Sequence, residues 1–170
     1  MKWIVKMMLA LLLCLPVQSW AFPNEPNGFR DLYWGESLEE VKQGREVEIF
    51  KYDEQTNSVT YWVHLNSDEP KTLSQVPILG ECLGTTFWND KLWVIALFFN
   101  EEDAFSDLKF AMTQLYGEPQ TNGENYCRWR GETTFIALEK DTPDEGSTCV
   151  LLMSSKILDD MTQKQVSQGW

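Results

Sequence analysis

From residue 92 to residue 99 every position is apolar, and the remaining pattern can be arranged around that run. Leu-Trp-Val-Ile-Ala-Leu-Phe-Phe has the length of a strand but no alternation, which predicts a central strand covered on both faces. Asn89-Asp90 turns the chain back to a second run, 83–88, so the two predict a two-residue hairpin. Upstream, Val59, Tyr61, Val63 and Leu65 alternate with Thr60, Trp62 and His64, the period of a half-buried strand. With residues 46–52, across the polar stretch 53–57, they make a second hairpin. Residues 66–77 carry two prolines and read as a polar connection. The period then changes: Phe105, Leu108, Met112 and Leu115 recur at helical spacing within 103–116, and Gly117 and Pro119 follow as stop signals. Three more strand-like runs, 124–130, 133–139 and 148–154, are separated by Gly131 and by the turn-forming residues 141–146. Residues 157–161 add one helical turn, and 162–170 read as a loose tail.

A shorter element stands ahead of these. In residues 29–42 a Trp-Gly pair precedes Ser37, and Glu40 follows three positions later, the spacing of a capping box. Glu36, Glu39 and Glu40 suit the positive end of a helix dipole. Leu38 and Val41 share one face, Gly44 is placed as a left-handed stop, and Trp34 is the expected anchor. A helix of about two turns is unstable alone in water and must dock. Helix-then-strands therefore occurs twice, over 37–99 and 103–154. The predicted fold is α+β: an antiparallel sheet of about six or seven strands with two main helices on one side, and a possible αβββ pseudo-repeat.

Composition refines this picture at the N-terminus first. Lys2 and Lys6, the apolar stretch 7–15, Pro16 and Ser19-Trp20-Ala21 form the pattern of a signal peptide over residues 1–21. The stretch is too short to cross a bilayer with ease. Cleavage after Ala21 would leave a single domain over 22–161 plus the tail, exported to the periplasm or beyond, with no membrane insertion after cleavage. Cys14 lacks the small residue a lipoprotein signal places before its cysteine. Losing Lys2 and Lys6 with the leader moves the net charge from −12 to −14, which repels nucleic acid and anionic lipid. Cys82, Cys127 and Cys149 remain, and export permits a disulfide. Three single bridges are possible; Cys127–Cys149 is favoured because both lie in strands of one half, leaving Cys82 as a buried thiol.

The motifs Phe29-Arg30-Asp31-Leu32-Tyr33-Trp34-Gly35-Glu36-Ser37-Leu38-Glu39-Glu40-Val41-Lys42, Leu79-Gly80, Asn89-Asp90-Lys91-Leu92, Tyr116-Gly117-Glu118-Pro119 and Ser154-Ser155-Lys156-Ile157 follow one another in this order. In that order the chain resembles small exported, periplasmic or lipoprotein-like bacterial proteins of unknown function, over most of its mature length. The resemblance implies an exported bacterial protein and brings no catalytic residue or cofactor with it. The very short first helix and the missing lipobox depart from the pattern, the latter against membrane tethering.

Candidate chemistry is sparse. His64 is the single histidine and lacks cysteines or carboxylates at zinc spacing. It falls on the Thr60/Trp62 face of its strand, as a surface histidine would. No Cys-x-x-Cys pair is present, so a redox role for Cys82 has little support. Residues 141–146 have the look of a calcium loop, but the twelfth position holds Leu152 where a bidentate glutamate belongs. Neither Glu39-Glu40 nor Glu101-Glu102-Asp103 gives carboxylates opposed across a substrate. No nucleotide-binding, metalloprotease or serine-hydrolase motif occurs. No metal site and no cofactor are expected.

Aromatic strands are what remain. Trp62, Trp88, Trp93 and Trp129 lie in predicted strands with Tyr61, Phe98, Phe99 and Tyr126. Trp62 and Trp88 fall opposite the aliphatic sets of their strands, where they could line an exposed sheet face, with Arg128 and Arg130 at its rim. The first expectation is a non-enzymatic domain binding a protein, peptide or envelope component through that face. The alternatives are a small hydrolase or thiol-dependent enzyme using His64 or Cys82, and a structural accessory domain without ligand. Oligomeric state is not encoded in these patterns.

Overall fold

The computed structural model describes residues 22–142 and 147–168. The expected leader, 1–21, and residues 143–146 of the expected turn lie outside the described residues. In chain order the elements are β1 (Gly28–Phe29), β2 (Leu32–Tyr33), α1 (Leu38–Gly44), β3 (Val47–Asp53), β4 (Ser58–His64), β5 (Thr72–Leu73) and β6 (Val76–Pro77). A 3-10 turn at Leu79–Glu81 leads into β7 (Cys82–Trp88), β8 (Lys91–Phe99), α2 (Ala104–Tyr116), β9 (Thr121–Asn122), β10 (Tyr126–Arg130), β11 (Thr134–Thr142), β12 (Ser147–Ser155) and α3 (Lys156–Gln168).

One antiparallel sheet of eight strands, in the order β3-β4-β7-β8-β12-β11-β10-β9, carries the α+β fold. It is two four-stranded meanders, each preceded by a helix, whose last strands meet at the centre. The repeat expected as a helix and three strands is thus a helix and four, with the two halves facing each other. The added strand is β9, two residues that pair with Arg128 and Cys127 before the β10 hairpin. A run that short carries no legible alternation.

Alternation sorts the sheet into two faces. Val63, Leu83, Phe87, Ile95, Leu97, Phe99, Trp129, Ile136, Leu138, Leu151 and Met153 are buried on one face and join α1 and α2 in a single core. The helix α2 contributes Phe105, Leu108 and Met112 to it. Leu115 departs from the predicted stripe and is 47 % exposed, because Tyr116 packs against the core in its place. Gly117 closes the helix as expected, at φ +75° with its N–H on the Thr113 carbonyl.

The capping box of α1 is complete. The Glu40 N–H donates to Ser37 Oγ at 3.3 Å and the Ser37 N–H donates to Glu40 Oε2 at 2.8 Å. Gly44 is the last helical residue rather than a left-handed stop, and the chain leaves through extended Arg45. Trp34 anchors as expected: its Nε1 donates to Thr134 Oγ1 at 2.9 Å and its ring packs on the core. Residues 66–77 are held down by Arg45, a buried guanidinium that forks onto both Glu69 oxygens at 2.7 and 2.8 Å and also meets Asp31.

Two expectations about coverage are corrected. The central run β8 is not sealed on both sides: Leu92, Ile95, Leu97 and Phe99 are buried, whereas Val94, Ala96 and Phe98 on the other face are half-buried. The tail is not loose from residue 162, since α3 runs Lys156–Gln168. Ser155 starts it by accepting from the Leu158 N–H, and Leu158 and Thr162, four apart, are buried among its described side chains.

Candidate functional site

The face of the sheet turned away from the main core is built from the alternate residues of six central strands. The pairing register sets Trp62, Gly84, Ala96, Leu152, Ala137 and Arg128 in one continuous row from β4 to β10. At about 4.8 Å per strand the row spans roughly 24 Å. On one side runs a row of His64, Cys82, Phe98, Val150, Glu139 and Tyr126; on the other run Thr60, Thr86, Val94, Ser154, Phe135 and Arg130. All four residues singled out by sequence, Trp62, Trp88, Arg128 and Arg130, therefore belong to this face.

They differ in what they can offer. Trp62 is half-buried, and its indole packs close to Gly84: a Cβ added at Gly84 would stand 3.3 Å from that ring. Phe50 and Phe98 flank it, with ring centroids 4.9 and 5.5 Å away. Trp88 is only 4 % exposed and presents no ring to solvent. Like Ala137, Val150 and Leu158, it is buried but lies outside the main core. Trp88 is thus a supporting residue of the face rather than a contact residue.

At the other end of the row Arg128 lies 5.5 Å over the Tyr126 ring and 3.4 Å from Glu139. Arg130 is exposed. It opens onto a cavity of about 550 Å³ with Gly131, Phe135, Lys156, Asp159 and Asp160 as the other walls. The first turns of α3 roof the face there, so the helices are not all on one side. Burial, with Asp160 next in the chain, raises the Asp159 pKa above the usual carboxylate range. That cavity can hold a group carrying both charges or a polar end with an apolar stem. Phe50, Phe135 and the small-residue row were not apparent in the sequence. Gly84 within a strand was the available signal of a close approach.

The register also brings His64 opposite Cys82. His64 Nε2 is buried without a hydrogen-bond partner among the described residues. Neither residue lines the Arg130 cavity or the acidic hollow at the start of α2. Among the described residues no group of histidine, cysteine and carboxylate side chains could hold a metal ion.

The expected Cys127–Cys149 bridge is not formed. Their strands, β10 and β12, are not neighbours: β11 lies between them, with Leu138 opposite Cys127 and Lys140 opposite Cys149. Two strand spacings put their Cα atoms some 9.5 Å apart or more, beyond the roughly 6.8 Å a disulfide spans. Both are buried thiols. Burial pushes Cys149 up to about 12, against the opposing pull of Lys140, and raises Cys127 as well.

Comparison with known protein families, with curated proteins and with solved structures finds no significant match to this chain. Among the described residues no helix is long and apolar enough to cross a membrane, which says nothing of β-barrels.

Proposed function

We propose that this protein is an exported, non-enzymatic binding domain that takes a protein, peptide or envelope component on the second face of its sheet. The observation that carries the reading is the row from Trp62 to Arg128. It is a broad, mostly apolar row with aromatic rings at one end, arginines at the other, and between them half-buried Ala96 and Leu152 beside buried Gly84 and Ala137. Contact surfaces of this kind concentrate binding energy in tryptophan, tyrosine and arginine set among smaller apolar groups. The leader pattern and the resemblance to small exported bacterial proteins support placement in the cell envelope or outside it.

The test is capture from envelope extract with protein expressed from the complete sequence, beside Trp62→Ala and Arg128→Ala. Each variant is first checked for folding by circular dichroism. The expected result is a partner retained by wild type and lost by both folded variants. A partner indifferent to both substitutions would remove this face from consideration.

A second reading, a thiol-dependent enzyme, draws on the His64–Cys82 pairing. Alkylation of Cys82 whose rate falls tenfold in His64→Ala would favour it, because a neighbouring imidazole would then be activating the thiol.

A further inference from the structure

The sheet ends on one side in β9, two residues long, and on the other in β3, seven residues with no strand beyond it among the described residues. Edge strands of this length are usually shortened, covered or charged. Here β3 exposes Ile49 at 70 %, Phe50 at 50 % and Tyr52 at 52 %. Its backbone is open as well. The His64 N–H donates to the Glu46 carbonyl, so Glu46 and Glu48 face β4. By antiparallel alternation, Val47 and Ile49 direct their N–H and C=O groups outward. A β-bulge between Ile49 and Lys51 interrupts the ladder, and Phe50, at the bulge, lies against the Trp62 ring. The edge is thereby continuous with the second face.

Charge distinguishes the possible occupants. Residues 46–54 hold four carboxylates, Glu46, Glu48, Asp53 and Glu54, against Lys51 alone, within a chain of net charge −12. A second copy would bring the same carboxylates edge to edge, and like charges placed opposite each other on a strand pair are unfavourable. An extended segment alternating lysine or arginine with apolar residues complements both the carboxylates and the exposed side chains.

We infer that the open edge of β3 is a strand-addition site whose occupant is an extended, cationic polypeptide segment that becomes the ninth strand of the sheet. This rests on the reading of the protein as a binding domain and names the partner's chemistry. Main-chain hydrogen bonds to Val47 and Ile49 would supply affinity. Contacts with Glu48, Phe50 and Tyr52 would supply selectivity.

The probe is a fluorescent nine-residue synthetic peptide alternating lysine with valine and threonine. Its counterparts have glutamate for lysine, or a central proline. Protein expressed from the complete sequence is titrated by anisotropy, and its amides are followed by NMR. Saturable binding of the lysine peptide is expected, at least tenfold weaker for both counterparts, with exchange protection gained at Val47 and Ile49. Ile49→Pro and Ile49→Lys, which remove no bond to β4, should each weaken binding at least tenfold while circular dichroism is unchanged. If one variant does not fold, the other carries the test.

No saturable binding, equal binding of the glutamate peptide, or protection confined to other strands would overturn the inference. So would a concentration-dependent dimer abolished by Ile49→Lys, because the edge would then serve self-association. An envelope partner lost by Trp62→Ala but kept by Ile49→Lys would overturn the edge site and leave the face reading intact.

Discussion

Glu25 belongs to no regular element, yet it makes the densest set of polar contacts at the N-terminus. Its carboxylate accepts from the N–H groups of Thr134 at 2.5 Å, Thr133 at 2.6 Å and Glu132 at 3.0 Å, and from the Thr133 hydroxyl. A Cβ at Gly131 would stand 2.1 Å from it, so a side chain there would have to displace the Glu25 carboxylate. Partial burial opposes ionisation, but the backbone donors prevail and hold the pKa below the ordinary 4.5. A carboxylate with a depressed folded pKa stabilises at pH above 4.5 and loses that contribution as pH falls through the folded value. Glu25→Gln should therefore destabilise at pH 7 by about 1–2 kcal/mol, with the difference from wild type shrinking below pH 4. Urea titrations at both pH values measure this; a difference that grows on acidification would refute it. The cysteines give a second residue-scale outcome. Under native conditions Cys127 and Cys149 should resist iodoacetamide and then alkylate fully in denaturant. A linked Cys127–Cys149 peptide in an unreduced digest would contradict the register.

At the scale of the element, α1 shows how a local signal and a tertiary one combine. Its seven residues are bounded by the Ser37–Glu40 box, and Val41 is its one buried side chain. Leu38 N–H also donates to Asp90 Oδ1 at 3.1 Å, tying the helix start to the β7–β8 turn. Ser37→Ala should cost about 1 kcal/mol. For a domain of this size that is a melting temperature lower by roughly 3 °C. A calorimetric scan showing no change would mean that Asp90 alone positions the helix. Such a box is legible because its spacing is local. By contrast the described side chains of α3 form no broad apolar stripe, with Leu158 and Thr162 buried among them and Ile157 and Met161 exposed. Residues 162–168 looked unstructured for that reason, and α3 is held by the groove it enters.

At the scale of the molecule, the seam between β8 and β12 joins the two meanders. Leu97 lies opposite Leu151 there, and both are fully buried. Leu151→Ala should cost about 3 kcal/mol through lost burial and the cavity left behind. Because the seam is shared, hydrogen exchange should accelerate together in β4 and β11. Acceleration confined to β11 would show that the meanders open independently. The same arrangement explains why the face is broad. Placing the last strand of each half at the centre aligns six strands in one register, with Trp62 and Arg128 near opposite ends.

The order of strands and helices, the antiparallel class, the cap of α1, the stop of α2 and the anchoring by Trp34 follow from patterns a few residues long, which is why they could be read from the sequence. That Trp62, Trp88, Arg128 and Arg130 share one face was legible too, since alternation within a strand assigns each side chain to one side. Beyond the hairpins, which strand lies beside which was not legible, because the β4–β7 and β8–β12 pairings join residues 18 to 60 positions apart. That pairing separated Cys127 from Cys149, brought His64 opposite Cys82, buried Trp88 and left Trp62 accessible. It also placed β3 at an edge. An amino-acid sequence specifies the faces of each strand through the two-residue period of the backbone. Only the assembled sheet determines which faces are covered and which edge stays open.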